Sequence, residues 1–347
     1  MEPRAAVGVY DEDTGRYTLY AGGGAVVRPK NELAGILGVE PDMVRVVAKD
    51  VGGNFGTRNS FFPEFAMMPW AAKRLGRPVK WTADRSEAFL SDYQGRDLHV
   101  EAELALDRDG NFIAMRGSNV SNIGAHTVSV VPLTKGVEIM CGPYRIPAIY
   151  FRARGVHSNT PPTNPYRSAG RPEVIFVMER MVDLAARECG FDPIQLRRRN
   201  MIKPDEMPYD NKLGMTYDSG TYEAAMDQCF GISDLDGFAA RKADSAKRSL
   251  KRGLGISAYM ETSTGAPRER TEMPVRPAGE IDVIIGPLSA GQGHETSFAQ
   301  LLTEWLDVPI DCVNLITGDT DIVSVGGGTH SGRSMRLAGV VMGMATD

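Results

Sequence analysis

Short apolar runs alternate with helix-length amphipathic segments and glycine-rich turns along the whole chain. Apolar residues at alternate positions, or in brief unbroken runs, are typical of half-buried and buried strands. Apolar residues three and four positions apart are typical of helices that pack one face on a core. The pattern predicts an α+β fold with strands near 17–20, 43–47, 79–81, 98–106, 111–121, 148–155, 253–259, 280–285 and 312–317, a polar loop at 262–278, and helices near 63–75, 173–189 and 296–306.

Three glycine-containing loops follow predicted strands and lead into predicted helices. We call them the first, second and third glycine loops, at 50–59, 289–296 and 318–334. In such loops the backbone N–H groups and a helix N-terminus face one point, which favours an anion. The spacing is not G-x-G-x-x-G and a Walker lysine is lacking, so one loop alone is more often a tight turn than a nucleotide site. Three of them predict a shared ligand with extended anionic parts.

A segment at 157–173, called the proline loop below, contains Pro161, Pro162 and Pro165. Prolines fix φ and remove backbone donors, so the segment cannot be a helix or a central strand and should hold one extended shape. Such a loop would hold Arg167 still, and the small residues after it would let a ligand approach the backbone. A well-ordered connector between domains explains the same composition, and the residues alone leave both interpretations open.

Composition and charge narrow the function classes. A net charge of −5 argues against nucleic acid as the main partner. No apolar run reaches the ~20 residues of a membrane span and the N-terminus lacks a secretion signal, so we expect a cytoplasmic protein. The cysteines form no C-x-x-C pair. This spacing argues against a zinc site or an iron–sulfur cluster and favours reduced, mostly buried thiols.

A polar, lysine-rich stretch divides the chain, whose length predicts about two domains. We predict a first domain at 1–203, a crossing segment at 204–252 and a second domain at 253–347. Just before the crossing, three arginines at 197–199 end a short predicted helix. Cations stabilise a helix C-terminus, and arginines also bind phosphate. A solvated helix face is the favoured interpretation for any one of them.

Six stretches of the chain resemble the molybdenum-binding large subunit of the xanthine dehydrogenase, aldehyde oxidase and carbon monoxide dehydrogenase family, and they occur in the order that the family has. They cover nearly the whole chain. The resemblance implies two mixed α/β molybdopterin-binding domains, at 1–203 and, incompletely, at 253–347. The stretches are VGGNFG at 51–56, WTADRSE at 81–87, PPTNPYRSAGRPE at 161–173, LRRRN at 196–200, GQGHET at 291–296 and residues 318–334.

The resemblance implies an oxidoreductase that hydroxylates aldehydes or N-heterocycles with oxygen derived from water. The implied cofactor is molybdopterin with molybdenum, in the cytosine dinucleotide form of bacterial members. The pterin dithiolene holds the metal, so no protein side chain is expected as a metal ligand. Electrons would leave through an iron–sulfur small subunit with [2Fe–2S] clusters and an FAD-binding medium subunit, within a dimer of heterotrimers.

The resemblance also implies roles for particular residues. Arg167 and Gln292 are the expected catalytic residues: Arg167 would face the substrate pocket, and Gln292 would approach the metal's oxo group and the pterin. The residues expected to bind the cofactor are Gly53, Phe55, Gly56, Arg167, Gln292, Gly293, His294, Thr329, Ser331, Arg333 and Ser334.

Some positions depart from the family pattern. Ser168 stands where carbon monoxide dehydrogenases have a copper-binding cysteine, and Asn59 stands where xanthine-specific members have a glutamate. The first departure disfavours carbon monoxide as the substrate, and the second disfavours a purine such as xanthine. The family's general-base glutamate lies beyond the matched motifs and is absent from this chain. We therefore expect a piece of a larger subunit that is inactive when isolated. The alternative is a non-catalytic cofactor-binding or assembly fragment of a split subunit, with the glutamate on another chain.

Overall fold

The computed structural model describes residues 2–263, 265 and 267–347; Met1, Thr264 and Ala266, two of them within the predicted loop at 262–278, lie outside the described residues. The strands are β1 Ala5–Tyr10, β2 Tyr17–Ala21, β3 Val44–Val47, β4 Val79–Thr82, β5 Leu98–Leu106, β6 Phe112–Gly124, β7 Ala148–His157, β8 Tyr209–Asp210, β9 Thr216–Tyr217, β10 Thr271–Glu272, β11 Ile281–Ile285 and β12 Val313–Ile316. The helices are α1 Val27–Leu37, α2 Pro63–Leu75, α3 Arg85–Ser91, α4 Val131–Val137, α5 Arg171–Cys189, α6 Pro193–Asn200, α7 Tyr222–Ser233, α8 Phe238–Lys247, α9 His294–Leu306 and α10 Arg333–Thr346.

The mixed α/β class is confirmed, and so are most predicted elements. Helix α2 has the predicted bounds, whereas α5 and α9 each begin two residues earlier than predicted. Each of these two helices follows a glycine in the left-handed region, Gly170 with φ 85° and Gly293 with φ 73°. Glycine adopts that conformation without a steric penalty, so the helix begins immediately after it.

The predicted strand at 253–259 is wrong, and the predicted polar loop at 262–278 contains the short strand β10. Residues 253–259 alternate apolar and polar positions, as a strand does, but their backbone does not join a ladder. Instead, the carbonyl of Ile256 accepts a hydrogen bond from Arg197 Nη2 at 3.2 Å. A side-chain donor therefore satisfies one backbone acceptor of this segment that a neighbouring strand would otherwise satisfy.

The chain forms two compact units, which are described separately. The discontinuous unit contains Met1–Tyr93 and Thr262–Asp347, and the central unit contains Gln94–Glu261. These units group segments by contact rather than by sequence order. The linear domains at 1–203, 204–252 and 253–347 are a different division, and they stay a prediction.

The discontinuous unit joins the two ends of the chain. Its larger sheet has the order β3-β2-β1-β4, and its smaller sheet has the order β10-β11-β12. Helix α2 packs so closely on β1 that a Cβ added to Gly8 would lie 2.2 Å from the Met68 carbonyl carbon. Residues after β12 then add to the end of β3, where Ala48 N donates to Gly318 O at 2.8 Å. Glycine loops that are far apart in sequence thus belong to one compact unit.

The central unit is built on a sheet with the order β5-β6-β7, covered by α5 and α6 over one apolar core. That core also contains a buried charge cluster. Arg197 is fully buried and pairs with Glu179 at 2.9 Å and Asp183 at 2.8 Å. The favoured interpretation of a solvated arginine is therefore wrong for Arg197, because carboxylates on α5 replace its water. Arg199 is exposed, as expected.

The four cysteines are free thiols, as expected, but only Cys141 is buried. Cys189 and Cys229 are exposed on their helices, so the prediction of mostly buried thiols is wrong. Among the described residues, no helix combines the length and apolar character needed to cross a membrane.

Candidate active site

Thr329 connects the third glycine loop to the two other parts of the discontinuous unit. Its backbone N–H donates to the Gly24 carbonyl at 2.6 Å, in a glycine run that leads into α1. Its hydroxyl donates to the Leu288 carbonyl at 2.7 Å, immediately before the second glycine loop. Thr329 is buried. One residue therefore joins the segments that enter α1, α9 and α10.

The first glycine loop packs against the same point. A Cβ added to Gly24 would lie 2.2 Å from Asn54 Nδ2 and 2.3 Å from Asn59 Oδ1, so only glycine fits there. The buried Asn54 side chain also accepts a hydrogen bond from Gly56 N at 2.7 Å and donates to Asn59 at 2.8 Å. These contacts close the loop around Phe55 at its tip.

The tip of the first glycine loop has an unusual backbone. Gly53 and Gly56 have φ values of 106° and 95°, and Phe55 has a φ of 52°. A positive φ is uncommon for a bulky residue and is found where the surrounding structure imposes it. The Phe55 side chain is 46% exposed. The loop therefore presents an aromatic ring and glycine backbone together at its surface.

The second glycine loop places Gln292 between Gly291 and Gly293, which have φ values of 106° and 73°. Gln292 Oε1 accepts a hydrogen bond from Ala290 N at 2.6 Å, which fixes the amide. The Gln292 amide nitrogen keeps its two N–H groups as donors on this exposed loop. A Cβ added at either glycine would meet nothing within 4 Å. The loop therefore borders open space on the side of its glycines.

Helix α9 starts directly after this loop at His294, and no side chain caps it. The first N–H groups of a helix have no partner within the helix, so an uncapped end favours an anion. The imidazole of His294 is buried and stacks on Phe298 with the ring centroids 4.8 Å apart. Burial lowers the pKa of His294. Its Nδ1 has no hydrogen-bond partner among the described residues.

Arg333 holds the third glycine loop from its buried side. Its guanidinium pairs with Glu269 at 2.7 Å, and both side chains are almost completely buried. The same group donates to the carbonyls of Gly328 at 2.6 Å and Arg268 at 2.7 Å. These contacts give Arg333 a structural role, because they fix the shape of the loop. Direct contact between Arg333 and a cofactor stays a prediction.

The remaining residues of the third loop surround the start of α10. Ser334 donates to the Thr329 hydroxyl at 3.3 Å, and Ser331 has a φ of 53° and lies 3.1 Å from His330 Nδ1. Burial and the Arg333 charge lower the pKa of the His330 imidazole. Helix α10 follows Gly332 without a side-chain cap. Its first N–H groups therefore lack a side-chain cap, as those of α9 do.

The first part of the third glycine loop has a different task. Asp319 forms a bidentate pair with Arg45, at 3.0 and 2.5 Å, and Arg45 lowers the pKa of the Asp319 carboxyl. The Thr320 hydroxyl accepts a hydrogen bond from Val46 N at 2.9 Å. These residues fasten the loop to β3. This first part of the third glycine loop, which was predicted to bind an anion, therefore has a structural role.

The proline loop lies in the central unit and, apart from its two ends, contains neither helix nor regular strand, as predicted. Gln94 pairs with it as a strand would: Gln94 N donates to Pro162 O at 3.1 Å, and Asn164 N donates to Gln94 O at 2.9 Å. The Gln94 amide adds bonds to Thr160 and Pro161, both at 3.0 Å. The prolines alone do not set the shape, because a neighbouring segment fixes it too.

Arg96 fixes the part of the proline loop that contains Arg167. It donates to the carbonyls of Tyr166 at 3.2 Å and Arg167 at 2.6 Å, and it pairs with Glu173 at 3.0 Å. Arg167 and Ser168 have φ values of 21° and 63°. Such values at non-glycine residues cluster at ligand sites, because surrounding contacts must hold them. Arg167 is exposed.

Sequence reasoning missed four residues that shape these loops: Gly24, Asn54, Arg96 and Glu269. Gly24 was visible as part of a glycine run, and Asn54 as the polar residue between glycines. Arg96 and Glu269 had no such signal, since each lies in a polar stretch without periodicity. Within residues 2–263, 265 and 267–347, no group of three His, Cys, Asp or Glu side chains is placed to hold a metal ion.

Comparisons with known proteins identify the family. The family described as molybdopterin cofactor-binding domain matches residues 1–201, and a second family of the same description matches residues 228–346. The carbon monoxide dehydrogenase large chain of Hydrogenophaga pseudoflava is 30% identical over 99% of this chain and 45% of its own length. The 6-hydroxypseudooxynicotine dehydrogenase subunit gamma of Paenarthrobacter nicotinovorans is 32% identical over 98% of this chain and 44% of its own length.

Solved structures agree with these relatives. Quinoline 2-oxidoreductase from Pseudomonas putida 86 has a TM-score of 0.91 and 29% identity, covering 98% of this chain and 46% of that one. Aldehyde oxidoreductase from Desulfovibrio gigas shares the fold at a TM-score of 0.75 and 20% identity. The chain spans less than half the length of these relatives. It belongs to the molybdopterin-binding oxidoreductase family that includes carbon monoxide dehydrogenase and xanthine dehydrogenase.

Proposed function

We propose that this chain holds the molybdopterin cofactor of an oxidoreductase that hydroxylates N-heterocycles or aldehydes with oxygen derived from water. The observation that carries the proposal is the junction at Thr329, which joins the glycine run at 22–24 and the second and third glycine loops. A pterin with a nucleotide tail is long and carries phosphate charge. Several backbone loops in one unit are the arrangement that such a ligand needs.

The residues of these loops fit that cofactor. The uncapped starts of α9 and α10 offer N–H groups and positive dipole ends to phosphate oxygens. The buried His294 Nδ1, which has no partner among the described residues, is available to a polar group of the ligand. The open space beside Gly291 and Gly293 allows close approach to the backbone. Gly53, Phe55 and Gly56 would border the same ligand at its metal end.

Bound molybdenum cofactor supplies the two-electron chemistry that hydroxylation requires. The protein would position the cofactor and the substrate and stabilise the charges that develop during the reaction. Gln292, with Oε1 already engaged, would direct its amide N–H groups at an oxygen atom of the cofactor. Arg167 would stabilise negative charge that develops on the substrate. Thr329, Ser331, Arg333 and Ser334 would hold the third loop against the cofactor.

The relatives narrow the substrate class. Their names include 6-hydroxypseudooxynicotine dehydrogenase, nicotine 6-hydroxylase and quinoline 2-oxidoreductase, and each name refers to a compound that contains a nitrogen heterocycle. Carbon monoxide dehydrogenase is equally similar, and one solved structure of it is described as a copper and molybdenum enzyme. Ser168 is a poor copper ligand compared with a cysteine thiolate. We therefore favour a heterocycle over carbon monoxide.

We further propose that electrons leave through partner subunits with [2Fe–2S] clusters and FAD, and that the cofactor has the cytosine dinucleotide form. Relatives named as large chains or subunits of complexes support the partners. The cytosine form rests on the resemblance to bacterial members.

The test uses the purified complex that contains this chain. Metal analysis should find molybdenum, acid release should give cytidine monophosphate, and turnover in ¹⁸O-labelled water should label the product. Gln292→Ala should lower molybdenum retention about 10-fold or more. The matched control is Gln195→Ala, which removes an exposed glutamine from α6. A complex without molybdenum refutes the proposal, whereas molybdenum without any turnover supports the alternative of a cofactor-binding assembly fragment.

A further inference from the structure

The proline loop begins a chain of hydrogen bonds within the central unit. The Ser168 hydroxyl lies 2.8 Å from the Tyr259 hydroxyl, which donates to Glu261 Oε2 at 2.7 Å. Tyr259 is the last residue of the irregular segment 253–259, where a strand was predicted, and Glu261 lies two residues after it. Two residues distant in sequence from Ser168 therefore determine how its hydroxyl is oriented.

The direction of these hydrogen bonds follows from the number of protons. The Glu261 carboxylate pairs with the buried Arg171 guanidinium, Nε to Oε1, at 2.8 Å. An ionised carboxylate only accepts hydrogen bonds, so the single Tyr259 proton is donated to Glu261. The Tyr259 oxygen is then left as an acceptor for the contact with Ser168. Ser168 must donate its own proton to Tyr259.

The hydrogen bond to Tyr259 determines what the Ser168 hydroxyl can offer to a ligand. Once its proton is committed to Tyr259, the Ser168 oxygen has only lone pairs for a further partner. Its backbone is fixed as well, because Arg96 bonds the carbonyls of Tyr166 and Arg167 just before it. The left-handed φ of 63° at Ser168 turns the residue relative to ordinary extended backbone. The loop thus displays a hydrogen-bond acceptor of fixed polarity.

We propose that Ser168 is a specificity-determining acceptor, and that it selects nitrogen heterocycles with a ring N–H over aldehydes and over heterocycles with only ring acceptors. The proposal rests on the proposed function, in which Arg167 of the proline loop meets the substrate. An aldehyde oxygen or a pyridine-type nitrogen would face the Ser168 lone pairs without a proton between them. Such an unpaired contact is unfavourable, whereas a ring N–H donates directly.

Tyr259 and Glu261 are positioning residues in this arrangement, because they act on the ligand only through Ser168. Burial raises the pKa of Tyr259, which keeps its hydroxyl protonated at neutral pH. Replacing Tyr259 by phenylalanine frees the Ser168 proton, so that the serine can turn and donate outward. The preference for a donor should then weaken without loss of the pocket.

The experiment compares two ligands of nearly equal size: benzimidazole, which has a ring N–H, and benzoxazole, which has an oxygen in that place. Their dissociation constants are measured by titration calorimetry on the reduced, purified complex, which cannot oxidise them. The pH is mildly alkaline, so both ligands are neutral. One hydrogen bond corresponds to about a 5- to 10-fold preference for benzimidazole. Molybdenum content and thermal midpoint are recorded for every variant.

The variants separate a specific role from a structural one. Ser168→Ala should reduce the preference to about one, and Tyr259→Phe should reduce it mainly by strengthening benzoxazole binding. A merely structural Tyr259 would instead weaken both ligands equally. The control is Tyr150→Phe, which removes the hydroxyl of a tyrosine that is 67% exposed on β7. It should leave the preference unchanged.

Three results overturn the proposal: no preference in the unmodified complex, a preference that persists in Ser168→Ala, or no saturable binding of either ligand. Each of them leaves the proposed function standing as long as the complex contains molybdenum and hydroxylates a substrate. Absence of the metal, by contrast, refutes the proposed function itself.

Discussion

Residues of the glycine loops make many of the bonds that shape those loops in the discontinuous unit, whereas residues outside the proline loop hold its backbone in the central unit. Thr329 bonds the carbonyls of Gly24, in the glycine run at 22–24, and of Leu288, just before the second glycine loop, and Asn54 bonds Gly56 and Asn59 within its own loop. In the central unit, Gln94 and Arg96 lie outside the proline loop and bond its carbonyls. The first arrangement leaves backbone N–H groups as the binding surface, and the second leaves side chains.

Under the proposed function, this difference matches two kinds of ligand, a cofactor and a substrate. A cofactor that stays bound needs many backbone donors in a fixed concave arrangement, which side-chain changes alone do not easily alter. A substrate class is selected by a few side chains, and these vary most readily on a loop whose shape is set from outside. Damage to the glycine loops should therefore release the cofactor, while damage to the supports of the proline loop should alter only substrate binding.

The largest expected effect comes from the buried ion pair behind the third glycine loop. Arg333→Met leaves the Glu269 carboxylate buried without its cation, which should lower the free energy of unfolding by about 3–5 kcal/mol. Urea denaturation measures the loss, and molybdenum content should fall with it. The control Arg248→Met removes an exposed arginine of a surface pair and should change stability by less than about 1 kcal/mol.

The double variant Glu269→Gln with Arg333→Met tests whether the unpaired buried charge causes the loss of stability. Because it removes both buried charges, it should recover part of the stability that Arg333→Met loses. A single variant as stable as the unmodified protein would show that the ion pair does not fix the loop, and the comparison between the two regions would lose one of its supports.

Gly24→Ala should have the next largest effect. The added Cβ would meet Asn54, Asn59 and the Thr329 carbonyl at 2.2, 2.3 and 2.8 Å, so the loops must separate. Overpacking of this kind costs about 1–3 kcal/mol. We expect loss of molybdenum from the purified complex, measured by metal analysis.

Gly35→Ala is the matched control, since a Cβ there meets nothing within 4 Å and the residue lies inside α1. Alanine in a helix interior is favoured over glycine by about 0.5–1 kcal/mol, so this variant should be slightly stabilised and keep its metal. Equal molybdenum content in both variants would contradict the close approach of the loops as the basis of cofactor binding.

Arg96→Ala tests the other side of the comparison. Without the guanidinium, the carbonyls of Tyr166 and Arg167 lose their donors and the left-handed φ values are no longer held. The KM for substrate should rise about 10-fold, while molybdenum content stays constant. Arg96→Lys should behave similarly, because one ammonium group cannot replace the planar fork. Arg152→Ala, an exposed arginine on β7, serves as the control. Metal loss in Arg96→Ala would break the distinction between the regions.

The sequence predicted the parts of this arrangement better than their connections. Hydrophobic spacing predicted α2 and the hairpin of β5 and β6, since local burial sets both patterns. Glycine and proline content also predicted which segments are loops. The partners of Arg333 and Arg96 could not be predicted, because each pair joins residues tens of positions apart in stretches without periodicity. Arg197 was misjudged because its carboxylate partners, the buried Glu179 and the more exposed Asp183, lie on another helix.

The smallest expected effect is a pH dependence confined to the discontinuous unit. Burial lowers the pKa of His294 and of His330 in the folded protein. The unfolded chain therefore binds protons more readily, and the free energy of unfolding should fall as the pH drops below about 6.5, the usual value for histidine. The fall should level off below the lowered pKa. His294→Gln should flatten this slope in urea denaturation measured at several pH values.

The same protonation should loosen the second glycine loop, in which His294 begins α9, before it affects the proline loop. We therefore expect acid to release molybdenum from the complex at a pH where the binding of neutral benzimidazole to the metal-containing fraction, corrected for the ligand's own protonation, is unchanged. In His294→Gln the release should shift to lower pH. An unaltered release curve in that variant would show that other groups govern the acid sensitivity. Since His330 is half-buried in the third glycine loop, His330→Gln then identifies whether it is the responsible group.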